Sequence, residues 1–317
     1  MTFPTPRPMS RRYLLSTGLA AAAAASVLRP RFAAASAARA ESGPAAALAF
    51  DGPDVIAATG AGAGLLRLTA AGGEAIATAD ARALATHPAR PGRIFMALRD
   101  GGLRHSGDGG RSWNAVDAGL PQAPILSITA AAHEPDWLYA SVQGDGLWRS
   151  QDAGATWEFV MDRPYLSGAE RDVLGLVSVG SETGMGGIWL YAGTEAGLTR
   201  VPDCFCRWQD VVAGEAMDAL VAGKTPPAAN PLPADEPVAT LALAPDAPER
   251  IYAGLASGLW SSADGGVDWA LASSGAIGAL AVDPTDPLHL VASRDGGIAA
   301  SRDGGATWTD TTFSTEN

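Results

Sequence analysis

The chain has 317 residues, among them 38 glycines and 22 prolines, with 18% charged side chains and a formal net charge of −12. That balance excludes a helical bundle, which would need long runs of good helix formers, and it excludes a nucleic-acid or anionic-lipid binder, because so acidic a chain repels both. Tryptophan outnumbers both phenylalanine and tyrosine, and short strands joined by many turns are the natural reading.

In chain order, residues 1–40 come first and read as an export leader. Ser10-Arg11-Arg12-Tyr13-Leu14-Leu15 opens an Ala-rich apolar stretch that runs to Leu28, and Ala38-Arg39-Ala40 offers small residues for cleavage. The apolar run falls short of the roughly 18 residues a membrane span needs, and its positive charge precedes it. The pair Arg11-Arg12 resembles a twin-arginine signal, which implies export to the periplasm of an already folded protein. Loss of this segment removes six arginines and no carboxylate, so 16 basic side chains face 34 acidic ones in the mature chain, which then holds no transmembrane segment. A protein partner, a cation or a neutral extended ligand suits such a surface, and no motif for a cofactor stands out.

Residues 41–317 then repeat one unit six times. The copies start at Ala46, Ala83, Ile125, Val173, Val238 and Ile277, and each offers four short strands, here A to D, with turn residues between them. The copy from Ile125 to Val160 shows the grammar well: an apolar stretch, a Pro-Asp turn, "WLYAS", a glycine turn, "GLWRS", a polar string and a last strand. Four strands in a period of about 35–60 residues specify a propeller blade, which cannot bury its faces alone and is therefore repeated around an axis. The expected fold is all-β, a six-bladed β-propeller with four antiparallel strands per blade. A seventh blade fits less well, because residues 213–237 include "TPPAANPLPADEP".

The polar strings recur between strands C and D: "SGDGGRSW" (Ser106 to Trp113), "SQDAGATW" (Ser150 to Trp157), "SADGGVDW" (Ser262 to Trp269) and "SRDGGATW" (Ser301 to Trp308). In each, the aspartate (Asp108, Asp152, Asp264, Asp303) can accept from turn amides, glycines allow positive φ, and the tryptophan (Trp113, Trp157, Trp269, Trp308) covers the turn. One carboxylate per string, or two in "SADGGVDW", is too few for a calcium loop, so no metal is expected there. These strings, called boxes below, resemble the Asp-box or BNR repeat of sialidases, other exo-acting glycosidases and many non-enzymatic exported propellers. The resemblance spans nearly the whole mature chain and implies architecture more than activity.

A fifth, decayed box reads "VPDCFCRW": Asp203 and Trp208 keep their places, Val201 replaces the serine and Phe205 a glycine. Cys204 and Cys206 flank Phe205. Free thiols, a disulfide closing a very small ring, and a redox or metal role are all open to that spacing.

In such a wheel the boxes lie on one face, and the B–C turns and D–A connections lie on the other. Candidate ligand or partner residues on that second face are Arg99, Asp100, Asp145, Glu195, Arg294 and Asp295 in the turns, with Arg163, Tyr165 and Arg171 in the long connection from Met161 to Asp172. Sialidases grip a carboxylate with three arginines and pair a nucleophilic tyrosine with a glutamate. The first of those arginines has no counterpart here, and Tyr139, Tyr191 and Tyr252 recur at one strand position as packing residues. What remains for a catalytic reading is Tyr165, Glu170 and Glu195. The chain also resembles the photosystem II stability factor class of exported propellers. The leading expectation is thus an exported, non-catalytic propeller that binds a protein or extended ligand in the envelope; the alternative is a glycoside hydrolase of the Asp-box class.

Overall fold

The computed structural model describes residues 44–59, 64–181, 187–214, 216–225 and 227–311. The leader expected over residues 1–40 lies outside them. Six antiparallel sheets follow one another along the chain, each built from consecutive strands. The first blade contains β1 (Ala45–Asp51), β2 (Asp54–Thr59), β3 (Gly64–Thr69) and β4 (Gly72–Ala77). The second contains β5 (Ala81–Ala85), β6 (Ile94–Leu98), β7 (Leu103–Ser106) and β8 (Asn114–Ala115), and the third β9 (Ile125–Ala130), β10 (Leu138–Val142), β11 (Gly146–Ser150) and β12 (Glu158–Asp162). A small hairpin, β13 (Tyr165–Leu166) with β14 (Ala169–Glu170), leads to the fourth blade, which has β15 (Val173–Gly180), β16 (Ile188–Thr194) and β17 (Gly197–Pro202). A short helix α1 (Ala216–Val221) lies in the next connection. The fifth blade is β18 (Thr240–Ala242), β19 (Ile251–Gly254), β20 (Gly258–Ser262) and β21 (Ala270–Ser274), and the sixth β22 (Ile277–Asp283), β23 (Asp286–Arg294), β24 (Gly297–Ser301) and β25 (Thr309–Asp310).

This is the expected six-bladed propeller, with one local departure. The fourth blade has no full outer strand; a single bridge between Arg200 and Gln209 stands in its place. The departure falls in the copy whose box is decayed.

The innermost strands β1, β5, β9, β15, β18 and β22 together line a narrow axial channel. Between neighbouring blades the apolar side chains interdigitate. Ala83, Phe95, Leu103, Ile125, Leu138 and Val142 fill one such interface, between the second and third blades. The first and last blades share no strand. Their seam is closed by Ala45, Leu48, Phe50, Val55, Ala57 and Leu68 against Ala279, Ala281, Val291 and Ile298, and by a buried bond from the Ala45 amide to Ser293 Oγ (2.9 Å). Apolar burial therefore closes the ring, without strand exchange.

Candidate functional site

The four full boxes have nearly identical internal geometry. The buried serine hydroxyl donates to the aspartate two residues on, at 2.8 Å for Ser106–Asp108, Ser150–Asp152 and Ser301–Asp303 and at 2.7 Å for Ser262–Asp264. The same oxygen accepts the amide of the second glycine position, from Gly110, Gly154 and Gly305 at 2.8 Å and from Gly266 at 2.9 Å. The aspartate also accepts the amide four residues on, in Ser112, Thr156, Asp268 and Thr307. Where that residue carries a hydroxyl, the hydroxyl donates as well.

Bonds from Ser112 and Ser106 hold the Asp108 carboxyl down at about 2, and bonds from Thr307 and Ser301 do the same for Asp303. Asp152 is lowered by Thr156 and Ser150. At Asp264 burial pushes upward, but bonds from the Asp268 amide, Ser262 and the Val267 amide outweigh it.

Each box is also tied to its surroundings. Amides of Gly109, Ala153 and Gly265 reach the A–B loop carbonyls of Gly92, Asp136 and Glu249, and that of Gly304 the Leu288 carbonyl near the start of β23, at 2.8–3.0 Å. Tryptophan Nε1 atoms donate to the preceding blade in four cases: Trp113 to the Ile76 carbonyl (3.5 Å), Trp157 to the Val116 carbonyl (2.8 Å), Trp208 to the Asp162 carbonyl (2.8 Å) and Trp308 to Ser273 Oγ (3.0 Å). Trp113, Trp269 and Trp308 also close on their own turns, at the carbonyls of Gly110, Gly266 and Gly305.

The decayed box shows what these bonds do by their loss. Val201 cannot supply the serine oxygen, and Arg207 stands where Ser112 or Thr156 bonds the carboxylate in other boxes. Asp203 Oδ1 is buried with no partner among the described residues, and burial raises its carboxyl. Cys204 and Cys206 are joined in a disulfide. Phe205 takes the second glycine position at φ +50° and packs into the interface with the third blade beside Tyr139 and Leu147. Tyr139 meets that side chain instead of a carbonyl, so its hydroxyl is orphaned. Tyr191 and Tyr252, at the equivalent position, donate to the carbonyls of Gly265 (3.0 Å) and Pro287 (2.8 Å).

On the opposite face most of the expected charges are taken up locally. Arg99 pairs with Asp80 (3.2 Å) and Arg294 with Asp295 (3.0 Å) while lying over Trp308. Asp145 accepts from Trp148 Nε1 (2.6 Å), and Arg163 holds Glu170 and Asp172. Arg171 bonds the Leu166 carbonyl. Tyr165 and Glu170 face each other across the hairpin, but the tyrosine hydroxyl donates to the Gly168 carbonyl and Glu170 is on Arg163. Glu195 lies on the β16–β17 turn, bonded to neither. The structure does not assemble Tyr165, Glu170 and Glu195 into a reacting group. Asp100 and Glu195 have no partner among the described residues. The β13–β14 hairpin on this face also exposes Tyr165; α1 exposes Leu220 and Val221 in a connection whose Asn230 bonds Asp268 and Trp269 of the fifth blade's box.

Sequence reasoning missed a cleft of about 810 Å³ on the box face, between the first two blades, lined by Asp51, Asp54, Arg67, Glu74, Asp108 and Arg111 among others. Arg67 bridges Asp51 (2.7 Å) and Asp54 (3.0 Å) and reaches the Gly109 carbonyl in the next blade. Asp51 also accepts the Gly92 amide (2.7 Å). The signal was available in the Asp-Gly-Pro-Asp turn and in Arg67, which occupies a recurrent C-strand position. The first blade has no box, so nothing marked the place. Among the described residues, no group of three or more His, Cys, Asp and Glu side chains is placed to hold a metal ion, and no helix is long and apolar enough to cross a membrane.

Fold and site define a six-bladed propeller whose box aspartates are engaged within their own turns. No family model matches the chain, and no curated protein does. Among solved structures it is similar to the GH74 xyloglucanase of Xanthomonas campestris, at 20% identity and a TM-score of 0.55, covering 87% of this chain and 54% of that one. It is also similar to the GH74 enzyme of Niastella koreensis, at 15% identity and a TM-score of 0.61, covering 86% and 46%. YCF48 from Cyanidioschyzon merolae aligns at 15% identity over 86% of each chain, with a TM-score of 0.49. The chain thus spans about half the length of the two GH74 proteins, and at these identities the likeness is one of fold. Proteins with this fold include GH74 enzymes.

Proposed function

We propose that this protein is an exported, non-catalytic Asp-box propeller that holds a protein segment or an extended ligand on the face of the B–C turns and D–A connections. The observation that carries this reading is the state of the carboxylates. In the box-face cleft Asp51 and Asp54 are held on Arg67 and Asp108 by its own box, which leaves Glu74 without a facing partner for acid–base work. The opposite face keeps Asp100 and Glu195 without partners among the described residues, and its β13–β14 hairpin exposes Tyr165, a polar and aromatic mixture expected of a surface that is covered in use. The acidic balance of the chain directs it to a neutral or basic companion.

A second reading, a glycoside hydrolase, draws support from the GH74 fold neighbours and from the acid-lined cleft. It would have to recruit Glu74 with Asp54 released from Arg67.

Photo-crosslinking separates the two faces. With a benzophenone side chain placed at Asp100, Asp145 or Glu195 in the producing cell, the binding reading expects discrete adducts from these positions and none from Glu74 or Arg111. Adducts confined to the latter pair contradict it.

A further inference from the structure

Five of the six innermost strands carry a register shift at the same place, near their first residues. The extra residue is Ala46 in β1, Arg82 in β5, Leu126 in β9, Leu174 in β15 and Gly278 in β22. Ala239 stands at the corresponding point just before β18. A bulge re-aims one side chain out of the alternation of its strand, and here all six residues line one lobe of the axial channel, about 110 Å³ in volume. Since the inner strands begin at the D–A connections, this lobe is the mouth that opens on the turn face.

The ring reads Ala, Arg, Leu, Leu, Ala, Gly. One charge interrupts it. Arg82 is partly buried and has no hydrogen-bonding, ion-pair or ring partner among the described residues, whereas Arg67, Arg93, Arg99, Arg149, Arg163 and Arg294 are all paired. Arg82 is the one cation on this ring, half-buried among apolar neighbours, and its planar guanidinium fork matches a carboxylate. The blades are inner edges of sheets at this point, so backbone amides not used in the ladder also face the axis. The mouth is well below the ~300 Å³ of a drug-sized site, which limits the guest to a small acid or a chain end.

We infer that the ring around Arg82 is a carboxylate site, entered along the axis from the turn face, that takes either a short carboxylic acid or the free C-terminus of an extended peptide. The site is independent of what the outer loops hold and would exist in a hydrolase as well.

Calorimetry on the purified protein in a carboxylate-free buffer tests it. The probes are propionate, N-acetyl-Ala-Ala-Ala with a free C-terminus, and the same peptide amidated. Saturable binding is expected for propionate, the free-acid peptide or both, weakened roughly tenfold or more in Arg82→Ala. Binding by the peptide alone identifies the chain end as guest, and binding by propionate alone a small acid. The amide is expected to bind at least about tenfold more weakly than the free acid. Alanine stands at this ring position in the first blade, so the variant should melt with the wild type; Arg82→Gln serves if it does not. Absence of binding by both acids, equal affinity in the Arg82 variant, or equal affinity for the amide overturns the assignment.

Discussion

Phe50→Ala is expected to cost about 3–5 kcal/mol of unfolding free energy, the usual toll of emptying a buried phenylalanine site, and to lower the melting temperature by roughly 10 °C in a domain of this size. Phe50 lies in β1, is 6% exposed, and packs in the seam between the first and sixth blades with its ring edge-on to His289 at 5.3 Å. No strand crosses that seam, so side-chain burial is what keeps the wheel closed. Phe95, buried in the interface between the second and third blades, provides the comparison. In a closed ring the two alanine variants lose similar stability in urea. A full loss for Phe95→Ala with a loss under about 1 kcal/mol for Phe50→Ala would mean that the seam is not formed in solution.

Gly305→Ala should be nearly as damaging. Gly305 has φ +90°, and a Cβ there would sit 2.1 Å from Leu259 Cδ2 of the preceding blade. Backbone strain at positive φ and crowding of a packed side chain each cost about 1–3 kcal/mol, so a loss of about 3 kcal/mol is expected in urea unfolding, against within about 0.5 kcal/mol if the box turn were loose. The decayed box illustrates what accommodation requires. Phe205 occupies the same position at φ +50°, but its ring has a place beside Tyr139 and Leu147, and a disulfide closes the turn around it.

The fold was legible because each blade carries its own punctuation. The Ser-to-Trp strings, the recurring B-strand tyrosines and the glycine turns mark four strands per copy, and the proline-rich stretch before Val238 limits the blades to six. The missing outer strand of the fourth blade falls in the copy with the decayed box; Val201 and Phe205 were visible as decay, but the packing of Phe205 depends on the neighbouring blade. The state of Cys204 and Cys206 was open because spacing alone does not set side-chain direction. Arg82 went unremarked for a different reason. Inner strands are buried on both faces and read as continuous apolar runs, so a one-residue bulge leaves no trace in the hydrophobic pattern. The cleft of Asp51, Asp54, Arg67 and Glu74 likewise combines two blades, one of which lacks a box.

The claim that this wheel holds its ligand without cutting it is tested most directly by release of reducing ends from xyloglucan and from a β-1,4-glucan, followed over a day with the purified protein in excess of catalytic amounts. No release above the protein-free control is the expected result. Release that is abolished by Glu74→Gln or Asp54→Asn, in variants that melt with the wild type, would contradict it and place the chemistry in the cleft between the first two blades.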